Sequence, residues 1–248
     1  MRIAFFSDIH GNRHALDAVL ADIQAQQPDR VYCLGDLVGY GAFPDAVVET
    51  IRRAGYPTVM GNYDDGVGFD RAECGCAYRE ARDRELGQQS LEWTKAHTTD
   101  DNKAFLRGLV PEIRFEVFGT RVLLVHGSPR RINEYLFEDR PISSFQRLAQ
   151  SSNADVIVFG HTHLPYTKTI GGVLFVNVGS VGKPKDGDPR AGYAVLEFGA
   201  QPVVTFRRVP YDVAAAVRAV LRSDLPDKFA LDLEYGGKVP ASAGSGGR

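Results

Sequence analysis

Short apolar runs alternate with amphipathic stretches along this chain, and five of the runs stop at residues able to hold a ligand. Arg2–Phe6 reads as a buried strand and is followed at once by Ser7-Asp8-Ile9-His10-Gly11-Asn12. Ala15, Leu16, Val19, Leu20 and Ile23 then recur at helical spacing, with Asn12 placed to cap that helix. Val31–Leu34 is the next apolar run and ends in Gly35-Asp36. A strand, helix and strand joined by a crossover of this length predict a parallel, right-handed βαβ unit. The pattern repeats with a helix over Asp45–Arg52, opened by Pro44, and a short strand Thr58–Met60 that ends in Gly61-Asn62-Tyr63-Asp64.

From about Arg71 to Leu109 the texture changes. Charged residues dominate and Leu86, Leu91, Trp93, Phe105 and Leu106 keep a helical period, so a helical excursion over the site is expected across residues 66–110. Strands resume with Arg114–Phe118 and Val122–Val125, the latter running into His126-Gly127-Ser128. A helix is expected near Ile142–Ser151, then the run Val156–Phe159 ending in Gly160-His161-Thr162-His163. Leu174–Val178, Tyr193–Phe198 and Val203–Val209 are expected as strands of a second, largely antiparallel sheet, with a last helix at Val213–Leu221. Residues 1–235 read as one domain. Residues 236–248, rich in Gly, Ser and Ala, read as a disordered tail.

Composition narrows the function classes. A formal charge of -2 gives no sign of a nucleic-acid groove. No stretch approaches the roughly 20 apolar residues of a membrane span. The N-terminal apolar run is too short for a signal peptide. Three cysteines without a framework fit a reducing compartment, so a cytoplasmic location is expected. Cys74 and Cys76 alone are too few thiolates for a structural zinc site. Nothing in the sequence indicates the oligomeric state.

The chemistry lies at the ends of the apolar runs: Asp8, His10, Asp36, Asn62, His126, His161 and His163. Four of the six histidines are in this set. Each alone has an ordinary reading, as a helix cap, a turn residue after glycine or a buried histidine. Parallel strands, however, bring their carboxyl ends to one edge of a sheet, where open α/β sheets bind ligands. Two carboxylates, an amide oxygen and four imidazoles exceed the needs of one ion. They suit two divalent ions such as Mn, Fe, Zn, Ni or Co. Such a pair clamps the attacking and leaving oxygens of phosphoryl transfer and generates a bridging hydroxide near neutral pH.

In order, Asp8-x-His10, Gly35-Asp36, Gly61-Asn62, His126 and Gly160-His161-x-His163 resemble the motif set of the calcineurin-like metallophosphoesterase superfamily over roughly residues 3 to 185. Ser7-Asp8-x-His10-Gly11-Asn12 and Gly179-Ser180-Val181 resemble its small bacterial and archaeal phosphodiesterase-like branch. The resemblance implies an α/β fold in which two mixed β-sheets pack as a sandwich flanked by helices. It also implies a ligand division: Asp8, His10 and His163 on one metal, Asn62, His126 and His161 on the other, with Asp36 bridging.

One position departs from the family pattern. Where the commonest motif has Gly-Asn-His, this chain has Gly61-Asn62-Tyr63. A phenol with a pKa near 10 and no second nitrogen is a poor copy of a general-acid imidazole. Tyr63 could still donate a hydrogen bond to a phosphate oxygen, or simply pack beside the site, and His14 is a conceivable stand-in acid. Losing a general acid hurts esters with poor leaving groups most. The expected activity is therefore hydrolysis of phosphodiesters or activated phosphate esters, with Asp36, Asn62 and Tyr63 as catalytic residues. Dinucleoside polyphosphate hydrolysis, a protein-phosphatase role and a non-catalytic binding module are the rival readings. Asn12 and Arg130 are candidate contacts to the substrate phosphate, with Arg131 and Lys183 also close to motif segments.

Overall fold

The computed structural model describes residues 1–76 and 80–240. It contains two sheets. The first has strand order β2-β1-β8-β9 and comprises β1 (Arg2–Phe6), β2 (Arg30–Cys33), β8 (Ala191–Glu197) and β9 (Val203–Val209). The second has order β3-β4-β5-β7-β6 and comprises β3 (Ile113–Val117), β4 (Thr120–Leu124), β5 (Val156–Phe159), β6 (Tyr166–Ile170) and β7 (Val173–Asn177).

Strand alternation builds three hydrophobic layers. Ile3 and Phe5 point between the sheets, where they meet Val122, Leu124, Val156, Val158 and Val176. Ala4 and Phe6 point the other way, against α1 (Arg13–Gln26) and α2 (Pro44–Ala54), through Leu16, Val19, Val47 and Ile51. On the far side, Leu123, Ile157, Phe159 and Phe175 are covered by Phe145 and Leu148 of α6 (Ile142–Ser152). The result is a helix–sheet–sheet–helix sandwich. Each large side chain buried in these layers contributes about 1.5–3 kcal/mol.

Several expectations hold in detail. Asn12 caps α1 through its side-chain oxygen, which accepts from Ala15 N at 3.1 Å. β1 and β2 pair in parallel across the α1 crossover. The excursion is helical, with α3 (Asn62–Gly68), α4 (Ala81–Ala96) and α5 (Asp100–Arg107).

Others are corrected. Thr58–Met60 forms no ladder, only isolated parallel bridges from Cys33 to Thr58 and from Val59 to Val110. β8 and β9 do not join the second sheet. β8 lies antiparallel to β1 in the first sheet, buried through Leu196 because it is flanked on both edges. The second sheet is consequently mixed, with β5 parallel to both β4 and β7. β6 escaped the sequence reading because it is an edge strand with a polar outer face, so no apolar run marks it. A second C-terminal helix, α8 (Lys228–Glu234), packs on α7 (Val213–Leu221) and on Leu86 and Trp93 of α4. Residues 236–238, expected in the disordered tail, form a turn tied down by bonds from Gly187 N to Gly236 O and Gly237 N to Asp232 O. The remainder of that tail from residue 241 lies outside the described residues.

Candidate metal centre

All seven predicted ligands are buried and converge at the carboxyl ends of β1, β2, β4 and β5 and at the start of α3. Glycines make this approach possible. A Cβ on Gly35 would stand 2.4 Å from Gly61 N, and one on Gly61 would stand 2.2 Å from Asp36 Oδ1. The two loops therefore touch backbone to backbone, which sets Asn62 beside Asp36.

Two groups emerge that could each hold a metal ion. Asp8, His10 and His163 form one, and Asp36, His126 and His161 form the other. In the first, His163 Nε2 lies 3.3 Å from Asp8 Oδ1 and 3.2 Å from His10 Nε2. In the second, His126 Nε2 lies 3.3 Å from Asp36 Oδ2 and 3.2 Å from Asn62 Oδ1. Asp36 Oδ2 also lies 3.6 Å from His10 Nε2, so this carboxylate stands between the groups.

The donor set fits metal ions on three counts. Asp8 Oδ1 and His161 Nε2 are buried without any hydrogen-bond partner, which is costly unless something else satisfies them. Three imidazoles hold backbone carbonyls with Nδ1: His10 that of Val38 at 3.0 Å, His126 that of Leu34 at 2.7 Å, and His163 that of Lys183 at 2.5 Å. Those bonds aim each Nε2 at the centre, the usual arrangement for a ligating histidine. Finally, Asp8, His10, Asp36, His161 and His163 all have φ between 50° and 64°. Left-handed backbone at non-glycine residues is uncommon, and its clustering here is the mark of a site whose geometry outranks local comfort.

Electrostatics separates the groups. Burial lowers His10 to about 3 against the opposing charge of Asp36, and burial followed by neighbouring positive charge holds His161 and His163 well below the usual imidazole range, so these rings are neutral. His126 goes the other way. Burial opposes its charge, but Asp36, by charge and by contact, raises it to about 10. The same pairing holds Asp36 below the usual carboxylate range despite its burial.

The supporting contacts were only partly visible in the sequence. Asp64 accepts from the backbone N–H groups of Asp36 (2.8 Å), Leu37 (2.9 Å) and Gly61 (2.9 Å), and so binds the two ligand loops together. Asn62 Nδ2 donates to Cys74 O at 3.1 Å and Cys76 Sγ at 3.3 Å, which turns Oδ1 toward His126. The sequence could signal neither cysteine as a support, because the contact crosses a loop. Tyr63 N donates to Asp36 Oδ1 at 2.8 Å, while its buried ring packs edge-on against His10 and its hydroxyl donates to Gly87 O at 3.4 Å. Its hydroxyl is thereby turned toward α4.

The remaining candidates sit at the margins. The Asn12 amide is engaged by Ala15 N, Gly182 O and Tyr211 Oη. Arg130 pairs with Glu134 at the rim of a cleft of about 1340 Å³ that Tyr40, Tyr135, Phe137 and Lys185 also line. Tyr135 connects this cleft to the centre, its ring centroid 4.0 Å from that of His161. Arg131 lies exposed on the same rim, and Lys183 is neutralised by Asp232 at 2.6 Å. His14 packs on Phe43, beside a small cavity that Ala216 and Val220 line.

Comparison with known proteins gives this geometry a family. Residues 1–201 match the model of the calcineurin-like phosphoesterase superfamily domain. The chain is 34% identical to an uncharacterized protein of Methanocaldococcus jannaschii, over 91% of this chain and 94% of that one. It is 27% identical to the phosphodiesterase YfcE of Escherichia coli, over 82% and 91% respectively. The crystal structure of a metallophosphoesterase from Sphaerobacter thermophilus superposes with a TM-score of 0.75 at 31% identity, covering 95% of this chain and 99% of that one. A family model spanning most of the chain agrees with ligands buried at the ends of a two-sheet sandwich: this protein belongs to the calcineurin-like phosphoesterase superfamily.

Proposed function

We propose that the protein is a dinuclear metal-dependent phosphoesterase that prefers phosphodiesters or activated phosphate esters. The observation that carries this reading is Asp36, buried between two ligand groups with Oδ2 within 3.6 Å of an imidazole from each. When bound there, a pair of divalent ions would lower the pKa of a water and withdraw charge from the phosphate. The protein's own part is to hold that arrangement still. Asp64 fixes the Asp36 loop, and Asn62 presents its oxygen because Cys74 and Cys76 hold its amide nitrogen. Closure by Tyr40 and Tyr63 on the His10 side limits water there.

The diester preference rests on Tyr63. Its ring lies against His10, but its hydroxyl donates to Gly87 O of α4, so the residue standing where the family commonly carries histidine is a phenol engaged away from the metal groups and not an imidazole. Without that acid, a substrate with a good leaving group is favoured by about 10²–10⁴-fold over one that needs protonation. The relative named as a phosphodiesterase supports the same direction. The test is turnover of bis(p-nitrophenyl) phosphate, an alkyl phosphomonoester and a dinucleoside polyphosphate, each with Mn, Fe, Zn, Ni and Co in turn. Faster cleavage of the activated diester is expected. A protein that retains none of these metals and cleaves none of these substrates defeats the proposal.

A further inference from the structure

The loop after β7 carries two lysines that look equivalent in sequence and are not equivalent in space. It is clamped to the metal centre throughout. Val181 N donates to Ser7 O at 2.9 Å, Gly182 N to Asp8 O at 3.0 Å, and Ser180 Oγ to Asp8 O at 2.8 Å. Lys183 O holds His163 Nδ1. A Cβ on Gly182 would lie 1.7 Å from Ile9 O, so the loop sits directly on the Asp8–His10 turn.

The Lys183 charge is already matched. Its Nζ donates to Asp232 Oδ2 at 2.6 Å and lies 4.9 Å from the Tyr40 ring centroid. The other Asp232 oxygen is taken by Lys228. Lys185, beyond Pro184, is half-buried and lines both the main cleft and its extension along Tyr40 and Asp83. It makes no hydrogen bond or ion pair with any described residue. The cleft it lines reaches both groups: Tyr135 and Tyr40 line it too, with ring centroids 4.0 Å from His161 and 4.9 Å from His10.

The Lys185 ammonium and any ions held by the two groups carry like charge at one cleft, and an anion lying between them would offset both. We propose that Lys185 binds the non-bridging oxygens of the substrate phosphate, opposite the metal groups and from the loop that seats His163. This rests on the phosphoesterase reading above. Arg130, the residue that the sequence puts forward for this contact, is half-exposed and engaged by Glu134, whereas Lys185 is half-buried in the cleft and pairs with no described residue. The side chain would touch substrate, so its role is direct binding and not support of a ligand.

The metal-loaded full-length protein provides the test. Inorganic phosphate is titrated calorimetrically into wild type and into the Lys185→Gln, Lys185→Met and Lys185→Arg variants, and turnover of bis(p-nitrophenyl) phosphate is measured alongside. Losing one charge-assisted hydrogen bond should weaken phosphate binding by about 10–100-fold in the Gln and Met variants and lower kcat/KM comparably. Metal content should be unchanged, and Arg should restore most of the loss. A neutral variant that keeps its metal and binds phosphate within about threefold of wild type overturns the proposal. So does one that loses metal, because Lys185 would then be supporting His163. A wild type that binds phosphate but turns over no ester defeats the phosphoesterase reading alone, and the titration still judges Lys185.

Discussion

The two ligand groups are built from the same residue types at the same sheet edges, yet they differ in how they wait for a metal. The group of Asp8, His10 and His163 has both imidazoles driven neutral by burial, each with Nδ1 on a backbone carbonyl. It needs no proton to leave. The group of Asp36, His126 and His161 contains one imidazole, His126, that Asp36 keeps protonated. Both of its ring nitrogens then donate, to Leu34 O and to Asn62 Oδ1, so a metal ion held through Nε2 would have to displace that proton. Two causes separate them: Asp36 acts on His126 by hydrogen bond as well as by charge, whereas it acts on His10 by charge alone and the nearby His163 opposes charge there.

That comparison can be broken most sharply at Asp36. Asp36→Asn should lower activity by on the order of 10³-fold or more, because both groups lose the carboxylate between them. Metal analysis should show less metal bound, and full activity in this variant would remove the site as assigned. Asp64→Asn is the next strongest test. It leaves every ligand in place but weakens the three N–H contacts that join the Asp36 and Asn62 loops, so activity and metal affinity should fall about 10–100-fold.

Proton linkage sharpens the contrast. His126 has its pKa raised to about 10, so its proton is bound at pH 7 and must leave before Nε2 can hold an ion. Metal affinity at that group should rise by about tenfold per pH unit from pH 7 toward 10. His10 and His163 are neutral throughout this range, and the first group should bind metal with little proton release. Calorimetric metal titrations in buffers of different ionisation enthalpy measure this directly. Equal proton release for both equivalents would erase the distinction. The smallest expected effect belongs to Cys76→Ala, which removes one bond to Asn62 Nδ2 while Cys74 O still holds it. Activity should fall by less than about tenfold, and a larger loss would make the thiol a direct participant.

Much of the molecule was legible because two signals agree along the chain. Apolar runs mark buried strands, and polar residues at their ends have no structural reason to be there together. That logic located the seven buried residues that converge and the α1 cap. It failed where burial comes from partners distant in sequence. β8 could not be assigned to a sheet from its residues, since the bond that places it is to β1, nearly two hundred residues earlier. β6 is an edge strand and needs no apolar face. Asp64 and Lys185 fell outside the sequence reading for a related reason: a carboxylate that accepts three backbone N–H groups and a lysine that pairs with no described residue are defined by what surrounds them.

The amino-acid sequence by itself determined which residues would meet, because strand and helix periodicities dictate a parallel edge where Asp8, His10, Asp36, His126, His161 and His163 emerge. Only the tertiary structure decided what each does there. Tyr63 turns its hydroxyl toward α4 because Gly87 lies within reach, and Lys183 is paired because α8 brings Asp232 to it. His126 holds a proton because Asp36 acts on it by hydrogen bond as well as by charge. Residue identity supplies the chemistry available, whereas charge, desolvation and hydrogen-bond partners depend on distances of a few ångströms that only the folded chain sets.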